Sequence, residues 1–122
     1  MKIAIAAVAA AALLAAAAPA SPELPPYAYS LRCAGLAEAA AEAGKDTPEG
    51  SRAYDAAIFW GMAASEAARK DKLPGERFTA DQKREAATAA AQFQDARHAA
   101  HDEYERCLSQ VPPLSQNGER GL

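Results

Sequence analysis

The side chains in this sequence that are best suited to chemistry are two histidines and the acids beside them in "ARHAAHDEYE". His98 and His101 are three positions apart, and Asp102 and Glu105 each follow one of them by four positions. Residues at this spacing share one face of a helix, and imidazole with carboxylate can bind Zn²⁺ or a similar ion. His98, His101 and Asp102 are therefore candidate metal ligands, with a solvated helix face as the alternative. Because no second segment supplies further ligands, we expect no resident cofactor.

The chain has two cysteines, Cys33 and Cys107, which lie 74 positions apart. In an exported protein an even number of cysteines predicts a disulfide, and closing a loop of this length stabilises the fold by roughly 4 kcal/mol. The pair does not form C-x-x-C, the motif of thioredoxin-like redox sites. The sequence also lacks G-x-S-x-G, H-E-x-x-H and a Gly-rich phosphate loop. We therefore predict that the protein is not an enzyme.

The N-terminal residues have the pattern of a secretory signal peptide. Lys2 is followed by an uninterrupted apolar run and then by the small-x-small site Ala18-Pro19-Ala20. An uncleaved membrane anchor is the alternative, but the run is mostly Ala, which partitions weakly into lipid. We predict that residues 1–20 are a signal peptide, that the mature chain is periplasmic, and that no membrane span remains after cleavage.

Charge and composition argue against a nucleic-acid partner and predict a core that buries little apolar surface. Loss of Lys2 with the signal peptide changes the formal net charge from −3 to −4, and no basic patch is interleaved with aromatic residues. This pattern argues against nucleic-acid binding. Although 50% of the residues are hydrophobic, most of them are Ala, which buries little surface. A covalent cross-link adds stability to a small domain whose core is of this kind.

Periodicity predicts an all-α fold, a small bundle of three to four helices stapled by one disulfide. We expect an extended Pro-rich segment at 21–27, a helical domain at 28–112 and a disordered tail at 113–122. No strand pattern occurs in the sequence.

Three helices are predicted from start and stop signals. The first covers about 28–43 and ends at Gly44 in a left-handed cap, and the second begins at Pro48 after a Thr47 N-cap. The third opens with a capping box from Thr79 to Gln82 and meets no breaker until Pro112-Pro113.

The disulfide conflicts with the simplest arrangement of these helices. In an up-down-up bundle, Cys33 and Cys107 would lie at opposite ends. The connector at 71–79 could span the bundle, the third helix could bend or break, or the cysteines could join two chains. We favour an intramolecular bond, with a bent or broken third helix or steeply crossed helices.

The segment "IFWGM" holds the densest group of large apolar side chains, but too few residues separate Asp55 from Glu66 for a membrane span. On a helical wheel it lies within a wide apolar arc, which predicts a central helix sandwiched between two others. Phe59 and Met62 do not fit this arc, because they fall between the charged residues. Apolar side chains rimmed by charge are typical of contact sites, so Phe59 and Met62 are candidate partner contacts. The residues of the arc are Ala53, Tyr54, Ala57, Ile58, Trp60, Gly61 and Ala64.

The segments "YAYSLRCAGL", "RAYDAAIFWGMAASEAARKDKLP" and "RCLSQVPPL" make the chain resemble small exported proteins of alphaproteobacteria that have no assigned function. In general build it is also similar to periplasmic acid-stress chaperones, which are short, helical and held by one disulfide. We therefore expect a non-enzymatic protein-binding or envelope-stress factor, whose partner is another envelope protein or a second copy. The alternatives are a periplasmic metal or small-ligand binder and an inhibitor or immunity protein.

Overall fold

The computed structural model describes residues 24–113, which form four helices and, within that range, no strand. This confirms the all-α prediction. The predicted signal peptide and nearly all of the predicted tail lie outside the described residues. The helices are α1 (Tyr27–Ala43), α2 (Pro48–Lys70), α3 (Gly75–Asp95) and α4 (Arg97–Leu108).

Helix α1 is the centre of the bundle, because each of the other three helices packs against it. Helix α3 runs parallel to α1, since Tyr27 contacts Asp81 near the start of both helices and Gly35 lies against Glu85 further along. Helices α2 and α4 run in the opposite direction. The buried core is rich in alanine around a few large side chains. Its largest fully buried residues are Trp60, Leu36, Cys33 and Cys107, with Phe93 and Tyr104 almost fully buried.

The third predicted helix is broken at Ala96, where φ is −139° and ψ is 53°. The Ala96 N–H still donates to the Gln92 carbonyl at 2.7 Å, and the Ala96 carbonyl accepts from the Ala100 N–H at 3.0 Å. One residue therefore ends α3 and begins α4 without leaving these backbone groups unpaired. The chain then returns along α1, as the prediction of a broken third helix requires.

The returning helix brings the two cysteines together, with Cα atoms 5.6 Å apart, and they form an intramolecular disulfide. Both cysteines are buried. The indole N–H of Trp60 donates to the Cys107 carbonyl at 3.2 Å, which links α2 to the same point. Nearby, the Arg32 guanidinium donates two hydrogen bonds to the Glu103 carboxylate, at 2.8 and 3.0 Å. Three of the four helices are thus joined at one end of the bundle.

The turn between α1 and α2 confirms one sequence signal and corrects another. The Thr47 hydroxyl accepts from the Gly50 N–H at 3.0 Å, so Thr47 is the predicted N-cap. Gly44, however, has a φ of −102°, and the left-handed residue is Asp46, with a φ of 68°. The two glycines serve close approach, because a Cβ on Gly50 would overlap the Gly44 carbonyl.

The predicted capping box at Thr79 is wrong, because α3 begins at Gly75. The Pro74 carbonyl accepts from the N–H groups of Arg77 and Phe78, at 3.0 and 3.1 Å. A proline interrupts a helix because it has no N–H, but its carbonyl remains free to begin the next one. Thr79 is therefore already inside the helix.

A buried carboxylate joins the start of α1 to α3. Asp81 accepts hydrogen bonds from the Tyr27 hydroxyl at 2.8 Å, from Arg77 at 3.2 Å, and from Arg84. The bonds from Tyr27 and Arg84 hold the pKa of Asp81 below its ordinary value. Burial, together with the hydrogen bond to Asp81, raises the pKa of Tyr27 to about 12.

Removal of the disulfide by Cys33→Ala with Cys107→Ala is expected to lower the free energy of unfolding by about 4 kcal/mol, because the 74-residue separation leaves a long open loop in the unfolded chain. Urea denaturation followed by the fluorescence of Trp60 measures this change. The wild-type protein under reductant is the matched control and should lose a similar amount. A loss below about 1 kcal/mol in both samples would contradict the prediction.

Acid should weaken the fold through Asp81. Since its pKa is lowered in the folded state, the stabilisation is present above the ordinary carboxyl pKa near 4 and is lost as the pH falls through the lower folded value. We expect Asp81→Asn to be less stable at neutral pH and to show a smaller further loss on acidification. Thermal unfolding measured from neutral pH to about pH 2 tests this.

The matched control for this experiment is Asp95→Asn, at an exposed residue near the end of α3. It should retain the acid dependence of the wild-type protein. Equal acid slopes for the wild-type and Asp81→Asn proteins would show that the buried carboxylate is not responsible.

Candidate functional site

The predicted metal ligands lie on the exposed face of α4 and are not brought together with further ligands. His98 Nε2 is 3.8 Å from an Asp102 oxygen, and His101 Nε2 is 3.7 Å from a Glu105 oxygen. Each histidine therefore faces one acid on its own helix, and the His98 side chain is almost fully exposed. Within residues 24–113, no group of three or more His, Cys, Asp or Glu side chains is placed to hold a metal ion.

The histidines border a cavity of about 410 Å³ between α4 and the adjoining ends of α1 and α2. Its walls carry charges of both signs, including Glu49, Arg52 and Arg97, and it is partly open to solvent. Trp60 does not offer a ligand-binding wall, because it is 1% exposed and its indole N–H already bonds to Cys107. The geometry thus gives little support to a metal or small-ligand site.

The prediction that α2 is a central helix is wrong, because α2 packs against α1 and makes little contact with α3 or α4. Only one side of its wide apolar arc is covered. The covered side consists of small residues and Trp60, whereas Tyr54 and Ile58 are on the open side, 62% and 44% exposed. Glycine 61 is likewise open, since no atom lies within 4 Å of the position of an added Cβ.

The two predicted contact residues have different surroundings. Phe59 is half-buried and packs edge-on against Trp60, with the ring centroids 5.2 Å apart. Met62 is 67% exposed. Phe59 therefore packs at the periphery of the hydrophobic core, whereas Met62 lies on the solvent-exposed surface of α2.

Tyr54, Ile58 and Met62 are spaced four residues apart and form one exposed apolar row along α2, which we call the α2 stripe. Sequence reasoning included Met62 but missed the other two, because a helical wheel shows how wide an apolar arc is without showing which part a neighbour covers. The four-residue spacing of three large apolar side chains was the available signal.

The N-terminal part of the α2 stripe borders a groove of about 870 Å³ between the end of α1 and the start of α2, which we call the acidic groove. Tyr54 and Ile58 line it together with the charged residues Glu38, Glu42, Lys45 and Asp46. Partial burial raises the pKa of Glu38. With three carboxylates against one ammonium group, this end of the stripe is negatively charged near neutral pH.

No protein-family model, curated protein or solved structure matches this chain. Among the helices that the structure describes, none is long and apolar enough to cross a membrane. The function is therefore inferred from the geometry of the chain itself.

Replacing both histidines, in His98→Ala with His101→Ala, is expected to leave zinc binding unchanged, because no third ligand converges on them. Isothermal titration of wild-type and variant protein with ZnCl₂ measures this. Glu76→Gln, at an exposed position in the first turn of α3 and so at the far end of that helix from the histidines, is the control. A site with a dissociation constant in the micromolar range or tighter that is lost only in the histidine variant would restore the metal hypothesis.

Proposed function

We propose that this protein is exported and acts without catalysis, by binding a protein through the α2 stripe. One observation carries the proposal: three of the large apolar side chains on the described surface, Tyr54, Ile58 and Met62, are exposed in one row on one helix. Single exposed apolar residues are common, but a contiguous row is typical of a surface that another protein covers.

The rigidity of the helix beneath the row supports this proposal. Helix α2 is anchored on its other side by buried Ala53, Ala56 and Ala64 and by the hydrogen bond from Trp60 to Cys107. A helix held in this way presents its open side chains in a fixed arrangement, so little conformational entropy is lost when a partner binds. This is the helix-face mode of protein recognition.

The hydrogen bonding of the Asp81 cluster also supports a non-catalytic role. Asp81 is buried, and its carboxylate is occupied by hydrogen bonds from Tyr27, Arg77 and Arg84. The Tyr27 bond connects α1 to α3, and Arg77 and Arg84, on the same helix as Asp81, occupy its carboxylate oxygens. We therefore assign this cluster to stability.

The exported location is supported by the buried disulfide, since such bonds persist in oxidising compartments. Together with the signal-peptide pattern of residues 1–20, it favours the periplasm. A protein-binding role in that compartment agrees with the proposed envelope factor.

The proposal can be tested by placing the photoreactive residue p-benzoylphenylalanine at Met62 and irradiating cells that secrete the protein. We expect a covalent adduct of defined mass, because Met62 is exposed on the proposed contact surface. Adding Tyr54→Ser should remove most of the adduct by shortening the apolar row. Since Tyr54 is mostly exposed, this substitution should change the free energy of unfolding by no more than about 0.5 kcal/mol.

The matched control carries the same photoreactive residue at Thr88, an exposed position on α3. It should give no adduct of that mass. Equal yields at the two positions, or no adduct at Met62, would show that the α2 stripe is not a protein-binding surface.

A further inference from the structure

We propose that the acidic groove selects the partner of the α2 stripe, and that it takes a basic protein segment in which lysine or arginine side chains lie beside apolar ones. The inference rests on the proposed function, because the groove adjoins the stripe and shares Tyr54 and Ile58 with it. It adds the charge of the partner, which the apolar row alone does not determine.

The groove contains carboxylates that no other side chain in the described structure neutralises. Glu38, Glu42 and Asp46 line it, and among residues 24–113 none of the three forms an ion pair. Lys45 also lines the groove but is not paired with them. Glu38 is in addition partly desolvated, which raises its pKa. A cationic side chain that enters the groove can therefore form ion pairs without displacing an existing partner.

Two of these carboxylates are spaced unfavourably in the free protein. Glu38 and Glu42 are four residues apart on α1, so they share one helix face about 6 Å apart along the axis. Like charges at this spacing destabilise a helix. A bound cation removes the repulsion, and a guanidinium group has enough N–H donors to bond to both carboxylates at once.

The wall that α2 contributes to the groove is apolar. Tyr54 and Ile58 are 62% and 44% exposed, and half-buried Ala57 lies between them in the sequence. The face of a tyrosine ring attracts a cation, and the aliphatic stems of lysine and arginine pack well against apolar side chains. The groove thus offers carboxylates to the charged head of such a side chain and apolar surface to its stem.

The charges along α2 determine which end of the stripe receives the basic part of the partner. Asp55, exposed next to Tyr54, adds a further carboxylate near the groove end. At the opposite end, Glu66 is already paired with Arg69. The other charged residues at that end are Lys70, Asp71 and Lys72. Negative charge is therefore concentrated at the groove end, and the apolar part of the partner follows the stripe toward Met62.

Peptide binding to the full secreted chain tests this chemistry. The probe is a fluorescein-labelled synthetic peptide of lysine and leucine, arranged so that its helix has one apolar face. Two matched peptides carry glutamate for every lysine or serine for every leucine. In fluorescence anisotropy we expect the lysine–leucine probe to bind roughly tenfold tighter than either matched peptide, because it alone suits both the carboxylates and the apolar wall. Absence of binding, or equal binding of any two of the three, would overturn the proposal.

The groove variant is Glu38→Gln with Glu42→Gln, which nearly preserves side-chain size and removes two charges. It should weaken binding of the lysine–leucine probe roughly tenfold. The matched control is Glu76→Gln with Asp95→Asn, which removes two charges from exposed positions on α3 and should leave the affinity unchanged. Equal losses in the two variants would contradict the proposal, because they would reflect the net charge of the protein alone.

The photoreactive Met62 protein separates this inference from the proposed function. Adding Glu38→Gln with Glu42→Gln should remove most of its adduct, whereas the α3 control pair should leave the yield unchanged. An undiminished adduct in the groove variant would keep the protein-binding function and overturn the basic partner. No adduct even with the groove intact would overturn both.

Discussion

A bond between Cys33 and Cys107 requires the beginning of α1 and the end of α4 to lie at the same end of the bundle. One continuous third helix would carry Cys107 to the far end, so the return of the chain at Ala96 is the constraint on which the remaining arrangement depends. With α4 folded back, α1 is enclosed by three helices and becomes the core element. Helix α2 is then at the periphery, where α1 makes most of its helix–helix contacts. The exposed row on α2 is thus a consequence of how the other helices surround α1.

The two ends of α1 are held by different chemistry. At the start of α1, Tyr27 forms a partly buried hydrogen bond to Asp81 of α3, and the disulfide lies less than two turns further along α1. At the other end, the contact is made by backbone atoms, since Gly44 and Gly50 approach each other without side chains between them. An alanine-rich core offers little apolar area, so these specific contacts fix the helix positions that bulky side chains would fix in a larger core. This explains why so small a core can still specify one arrangement.

Much of this fold could be predicted from local signals. The Thr47 cap, the helix from Pro48 to Lys70 and the interrupted third helix follow from residue preferences and from the position of two cysteines. The errors arose where backbone atoms or a neighbouring helix decide the structure, because side-chain preferences do not show either. Pro74 begins a helix through its carbonyl, which a search for polar side-chain caps overlooks. In the α1–α2 turn the left-handed residue is Asp46, whereas Gly44 is where the two helices approach closely. The open side of α2 could not be predicted, since periodicity gives the angular position of Tyr54 and Ile58 but not the identity of the neighbouring helix.

The position of Cys107 in the last turn of the last helix also determines when the fold can be closed. The bond cannot form until all four helices have been synthesised, so the reduced chain must first find the correct topology through its weaker contacts. Because the sequence contains two cysteines, only one intramolecular pairing exists, and no incorrect bond within the chain has to be exchanged. Closing this bond therefore needs an oxidant and no exchange of an incorrect bond within the sequence. The native disulfide therefore stabilises a helix arrangement that the reduced chain has already adopted.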